Sequence, residues 1–122
     1  MVNHFLKLSD IAPEEIQPIL DRAIALKSGA TSNALAGKSV AILFEKPSLR
    51  TNVSFWVCTE KLGGNPVHFT PEEVGLGKRE PVADVAQVMS RMSDVAVIRT
   101  FEQSIIEEFA KNASIPVINA LT

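Results

Sequence analysis

Four short apolar runs alternate with stretches of helical spacing, and this alternation restricts the fold more than any other feature of the chain. The runs are rich in Val, Ile and Phe, and they lie at residues 39–44, 66–69, 95–98 and 116–119. The stretches with helical spacing lie at residues 13–27, 51–62, 81–92 and 104–113. Most of the runs lack polar alternation, which is typical of parallel strands buried on both faces. Because strands that alternate with helices imply right-handed crossovers, the sequence predicts an α/β fold: a four-stranded parallel sheet with helices on both faces.

Prolines and glycines mark the ends of several of these elements. Pro13 suits the first turn of the first helix, and Pro18 either kinks that helix or marks its true start. The stretch Thr70-Pro71-Glu72-Glu73 resembles a helix start with Thr70 as the cap, but two glycines soon interrupt it. We therefore expect residues 70–80 to form a loop with one helical turn.

Composition excludes several classes of protein. The chain has 122 residues, a net charge of −2 and a pI of about 5.7, so bulk attraction to nucleic acid or to an acidic membrane is not expected. A single cysteine, Cys58, excludes an internal disulfide framework, and its position predicts a place in the core. No apolar run approaches the roughly 20 residues that span a bilayer, and the start lacks a signal-peptide pattern. We expect a soluble cytoplasmic protein or a piece of one.

Charged and hydroxyl side chains follow the first strand in the stretch FEKPSLRTNVSF, residues 44–55. In α/β sheets, sites form beyond the carboxyl ends of strands, and a helix beginning near Ser48 would present unpaired N–H groups and a positive dipole end. Ser48 and Thr51 add hydroxyl donors, and Arg50 adds a planar fork that matches two phosphate oxygens. The stretch therefore predicts a phosphate cradle. The plainer alternative is that Ser48 merely caps the helix and Arg50 is a solvated charge.

With its surroundings, this stretch resembles the carbamoyl-phosphate motif of the aspartate/ornithine carbamoyltransferase family. The likeness covers the whole chain and rests on residues 44–51, 53–55, 62–64, 75–80 with Asp84, 99–101 and 116–122. The Phe-Glu-Lys-Pro-Ser run favours the ornithine branch. The resemblance implies that residues 1–122 are the carbamoyl-phosphate-binding domain, the first of two such domains in the family. It also implies that this domain is truncated at its C-terminal end and that the second, amino-acid-binding domain is absent.

The resemblance implies a transfer of the carbamoyl group from carbamoyl phosphate to the side-chain amine of ornithine, giving citrulline and phosphate in arginine biosynthesis. The amine attacks the carbonyl carbon, an oxyanion forms and phosphate leaves, so catalysis depends on positioning and charge stabilisation. No metal and no cofactor are expected. By position, Ser48, Arg50, Thr51, Arg99 and the backbone at Leu49 would bind the substrate, and Arg50 would be the catalytic residue that stabilises charge on the leaving group.

The resemblance also implies a homotrimer with its sites at subunit boundaries, where the loop at residues 70–80 arrives from a neighbouring subunit. The family's catalytic histidine and its pocket for the amine would lie beyond residue 122. We therefore expect an active full-length enzyme and an inactive fragment. The expected partners are carbamoyl phosphate and ornithine, without nucleic acid or membrane.

Four positions depart from the family motif. Leu49 replaces a threonine, as in some relatives that act on acylated ornithines, and it retains only the backbone donor. Asn52 and Trp56 replace an arginine and a glutamate that would form an i,i+4 ion pair, so no unpaired charge is left behind. Gly75 occupies the loop position where ornithine enzymes often carry Gln or His, and the pair Lys78-Arg79 offers a substitute.

The sequence also fits functions besides ornithine carbamoylation. The amine could be aspartate or an acylated ornithine, and a catalytically dead phosphate-binding homologue fits the same departures. A signalling receiver-like module would need clustered carboxylates at the strand ends, but Lys46 and Arg99 lie there instead. His68, at a strand end without an evident carboxylate partner, is expected to be structural.

Overall fold

A four-stranded, wholly parallel sheet forms the centre of the computed structural model, which describes residues 2–122. The strands are β1 (Ser39–Phe44), β2 (Asn65–Phe69), β3 (Val95–Arg99) and β4 (Val117–Asn119), in the spatial order β2-β1-β3-β4. The helices are α1 (Pro13–Lys27), α2 (Arg50–Lys61), α3 (Pro71–Val74), α4 (Val82–Met92) and α5 (Gln103–Asn112), with a 3-10 turn at Leu8–Asp10. The predicted α/β fold is therefore confirmed.

The two edges of the sheet differ in how they are protected. The N-terminal segment runs beside β4, since Phe5 N–H donates to Val117 O (2.8 Å) and Phe5 O accepts from Asn119 N–H (2.8 Å). Sequence reasoning did not predict this contact. At the other edge, no strand among residues 2–122 pairs with the outer side of β2. This open strand contains Pro66, and Val67 is 38% exposed.

One face of the sheet carries the larger core. Alternate strand residues such as Leu43 and Ile98 point to this face and pack against α4 and α5. The apolar side chains of α5 meet them on a single helical face, as their spacing predicts, and Phe109 is fully buried. Residues 70–80 also fold onto this face, because Val74 and Leu76 are buried in the same cluster.

The opposite face is covered by α2, whose Phe55 packs on the cluster that contains Ile42 and Phe44. Cys58 lies on the exposed side of α2, so its predicted place in the core was wrong. The residue buried there is its neighbour Thr59, at 3% exposure. Because the helix turns by about 100° per residue, adjacent positions face different surroundings.

The first helix has the predicted length but buries none of its side chains. It begins at Pro13, and Pro18 lies within it, so the proline does not mark its start. Removing one N–H from an early turn does not end this helix, although Pro18 cannot form an i→i−4 bond. Its apolar positions Ile19, Leu20 and Ile24 are 48%, 50% and 62% exposed.

We expect Phe109→Ala to lower the free energy of unfolding by about 3–5 kcal/mol, because it removes a fully buried ring and leaves a cavity. Phe101→Ala is the matched control, since that ring is 54% exposed and the same atoms are deleted. Urea denaturation followed by circular dichroism measures both. Equal losses from the two substitutions would contradict the core that we describe around α5.

Candidate functional site

The start of α2 lies just beyond the carboxyl end of β1. The helix begins at Arg50, two residues after the predicted start, and Leu49 occupies the N-cap position without a side-chain cap. The interpretation of Ser48 as a simple cap is therefore wrong. The helical bonding pattern begins with Val53 N–H donating to Leu49 O (3.0 Å), which leaves the N–H groups of residues 50–52 outside it. Backbone donors and a positive dipole end thus converge where an anion would be bound.

Arg99 ends β3 and reaches this helix start. Its Nη2 donates to Thr51 Oγ1 (3.3 Å), and its Nε donates to the carbonyl of Ala120 after β4 (2.7 Å). The centre of the guanidinium lies 5.7 Å from the centroid of the Phe44 ring. Contacts from α2, β1 and the end of β4 therefore fix one cation beside the first turn of α2. The structure brings together Thr51 and Arg99, two of the predicted site residues.

The remaining predicted site residues are more open. Arg50 is exposed, and so is Leu49, which is 79% exposed. Ser48 is half-buried. The two ion pairs found among residues 2–122 both involve Lys7, so neither Arg50 nor Arg99 is neutralised by a carboxylate there.

A buried carboxylate also lies at this edge of the sheet, and sequence reasoning missed it. Glu45 follows β1 and is only 8% exposed, and its Oε1 accepts a hydrogen bond from the Thr100 hydroxyl. The Thr100 N–H in turn donates to Thr122 Oγ1 (3.2 Å). A glutamate beside a lysine and a proline reads as a surface residue, so only the pairing of β1 with β3 reveals its burial.

The loop at residues 70–80 adds one cation near the same edge, Lys78, and a second cation, Lys46, follows β1. Lys78 Nζ lies 5.8 Å from the centroid of the Phe101 ring, and Lys46 Nζ lies at the same distance from it. Gly75 has a φ of +44°, and a Cβ there would meet the Arg79 Cβ at 2.9 Å. The backbone thus disfavours a Gln or His at position 75, and Lys78 contacts a ring of its own chain.

A capping box at the start of α3 holds this loop. The carboxylate of Glu73 accepts from the Thr70 N–H (3.0 Å) and from the Thr70 hydroxyl (2.9 Å), while Glu73 N–H donates back to that hydroxyl (3.3 Å). The backbone bond from Thr70, and after it the hydroxyl bond, lowers the pKa of Glu73 below its ordinary value of 4.5. The helical turn predicted from the Thr-Pro-Glu-Glu stretch is confirmed together with its reciprocal cap.

Because the pKa of Glu73 is lowered in the folded state, its contribution to stability is present above the unfolded pKa of 4.5 and is lost as the pH falls through the lowered value. A carboxyl-carbon NMR titration should therefore place Glu73 below an ordinary glutamate. In Thr70→Val, which removes the hydroxyl and keeps the backbone donor, we expect the pKa to rise part of the way back. A Glu73 that titrates at or above its ordinary pKa would contradict the capping box.

Comparison with known proteins shows which protein family this sequence matches. Residues 3–122 match the domain family described as aspartate/ornithine carbamoyltransferase, carbamoyl-P binding domain. The chain is 45% identical over 123 residues to an ornithine carbamoyltransferase of Agrobacterium fabrum, a match that covers 98% of this chain and 40% of that protein. A second ornithine carbamoyltransferase, from Desulfotalea psychrophila, is 46% identical over 126 residues, covering 100% of this chain and 42% of that protein.

Solved structures agree with these matches. The anabolic ornithine carbamoyltransferase of Campylobacter jejuni superposes with a TM-score of 0.91 at 36% identity, covering 99% of this chain and 39% of that one. An acetylornithine transcarbamylase complexed with acetylcitrulline gives 0.88 at 31% identity, covering 97% of this chain and 42% of that one. The chain thus spans about two fifths of the length of the relatives that it matches.

Proposed function

Because this chain belongs to the aspartate/ornithine carbamoyltransferase family, we propose that it binds carbamoyl phosphate and forms the phosphate half of an ornithine carbamoyltransferase site. The observation that carries this proposal is the contact of Arg99 with Thr51 at the open start of α2. There, backbone N–H groups, a hydroxyl and a guanidinium with no carboxylate partner among residues 2–122 meet beyond the carboxyl ends of β1 and β3. Such a set of donors suits a dianionic phosphate group.

In the proposed reaction, the ornithine amine attacks the carbonyl carbon of carbamoyl phosphate, and the carbon–oxygen bond to phosphate breaks. Negative charge grows on the carbonyl oxygen and on the departing phosphate. Thr51, Ser48 and the backbone at Leu49 hold the phosphate, while Arg99, already fixed by two hydrogen bonds, stabilises developing charge without reorganising. Arg50, which is exposed and free to turn, neutralises the leaving phosphate.

A second candidate substrate is N-acetylornithine. Leu49 at the rim of the cradle is the observation that favours it, since some relatives acting on acylated ornithines carry leucine there, and the acetylornithine transcarbamylase superposes on 97% of this chain. The residues that contact the phosphate are the same in either case. They would also be the same if aspartate were the acceptor or if the protein bound phosphate without catalysing transfer, so only an activity assay separates these functions.

Assembly and location are part of the proposal. We place the complete protein in the cytoplasm as a homotrimer that serves arginine biosynthesis, with Lys78 acting in a neighbouring subunit's site. Lys78 lies over the Phe101 ring of its own chain, so it must leave that ring to do so. In the described part of the chain, no helix has the length and apolar character needed to cross a membrane.

We expect Arg50→Ala to weaken binding of inorganic phosphate by about 1.5–3 kcal/mol, the range for a hydrogen bond to a charged group. Arg22→Ala is the matched control, because Arg22 is also an exposed helical arginine but lies on α1. Isothermal titration calorimetry at constant ionic strength compares the variants with the parent chain. Equal affinities for the parent and Arg50→Ala would show that Arg50 is only a solvated charge.

We expect residues 1–122 alone to bind phosphate but to form no citrulline from ornithine and carbamoyl phosphate, because every group assigned above contacts the phosphate side of the substrate. A colorimetric citrulline assay tests this, with N-acetylornithine and aspartate as further acceptors. Joined to the part of the Agrobacterium fabrum relative that it does not match, the chain should support turnover, and Arg50→Ala should abolish it. A folded chimera that binds phosphate without turnover would favour the dead homologue.

A further inference from the structure

His68 on the edge strand β2 contacts the first turn of α2 through a single polar pair. The side-chain nitrogen Nδ2 of Asn52 lies 2.8 Å from Nε2 of the His68 ring. Asn52 directly follows Thr51, the residue that accepts a hydrogen bond from Arg99. This pair therefore links the strand at the open edge of the sheet to the helix turn that would hold the phosphate.

The direction of the hydrogen bond follows from the chemistry of the two groups. An amide nitrogen can only donate, so with the Asn52 amide in this orientation Nε2 of His68 is the acceptor. The other end of the same amide, Asn52 Oδ1, is buried with no hydrogen-bond partner among residues 2–122. Buried polar atoms are nearly always paired in folded proteins. Among residues 2–122, His68 is thus the one hydrogen-bond partner of the Asn52 side chain.

The Trp56 ring stacks on the face of the His68 ring. The two ring centroids are 5.4 Å apart at an interplanar angle of 27°, and the indole Nε1 donates to Glu60 Oε1 (3.0 Å). Asn52 and Trp56 are four residues apart, so they lie on one face of α2 and approach His68 together. The three side chains, which we call the His68 cluster, join the first two turns of α2 to β2.

We propose that His68 is a positioning residue for the phosphate cradle. It touches no substrate, but through Asn52 it fixes the turn that presents the Thr51 hydroxyl and the N–H groups of residues 50–52. The family motif would place an arginine and a glutamate at positions 52 and 56, and the His68 cluster replaces that ion pair with a contact to the neighbouring strand. The role in binding rests on the proposed function, whereas the effect on the helix turn is independent of it.

A matched pair of substitutions separates the acceptor of His68 from its ring. His68→Phe keeps a ring that stacks on Trp56 but removes the acceptor, whereas His68→Gln keeps an acceptor for Asn52. Calorimetry with inorganic phosphate should show affinity weakened about three- to tenfold in His68→Phe, the value of one net hydrogen bond, and nearly restored in His68→Gln. Asn52→Leu removes the donor instead and should match His68→Phe, which covers the case in which His68→Phe does not fold.

Amide hydrogen exchange of the same variants measures the stability of the first turn of α2 without any ligand. Val53 N–H makes the first bond of α2, to Leu49 O, so its exchange reports how firmly the first turn is held. We expect faster exchange at Val53 in His68→Phe and Asn52→Leu, with unchanged exchange in α5. If the parent binds no phosphate, the proposed function fails and exchange at Val53 still decides this inference. Unchanged exchange at Val53, or unchanged phosphate affinity in a parent that binds, would overturn it.

Discussion

The register between β1 and β3 is the constraint on which the rest of the structure depends. Phe44 pairs with Arg99, and Glu45 N–H extends the ladder by donating to Arg99 O (2.8 Å). This register ends both strands at one level, so the start of α2 and the Arg99 guanidinium meet. A shift of one residue would turn every side chain of the strand to the opposite face, burying Arg99 differently and removing its contact with Thr51.

Two arginines of the site differ in how much they are held, and that difference suits their proposed roles. Arg99 is fixed by a carbonyl, a hydroxyl and an aromatic ring, so its charge is in place before any ligand arrives. Arg50 is exposed and has no carboxylate partner among residues 2–122, so it loses no ion pair when it turns toward an anion. A fixed charge gives preorganisation, and a free one allows a ligand to enter and leave.

Much of the fold could be predicted from the sequence because its elements depend on local patterns. Continuous Val- and Ile-rich runs are typical of strands buried on both faces, and the Thr70–Glu73 stretch carries its own cap. Contacts between distant positions were not predictable in this way. Phe5 beside β4 and Asn52 beside His68 join residues far apart in the chain, and neither leaves a periodic signal. Likewise, helical spacing predicted α1 but could not show that its apolar residues stay exposed.

The open edge of β2 bears on how copies of this chain behave in a crowded solution. Asn65 N–H donates inward to Lys38 O (2.8 Å), so the nitrogens of alternate residues, 66 and 68, face outward. Pro66 has no hydrogen to offer, and the outward nitrogen that follows His68, at Thr70, already donates to the Glu73 carboxylate. Along this side of β2, His68 alone presents a free backbone donor. A strand from another copy would therefore meet a single backbone N–H donor along β2, whereas strand pairing needs a regular series of donors. This shortage disfavours edge-to-edge pairing and fibril growth through the exposed edge.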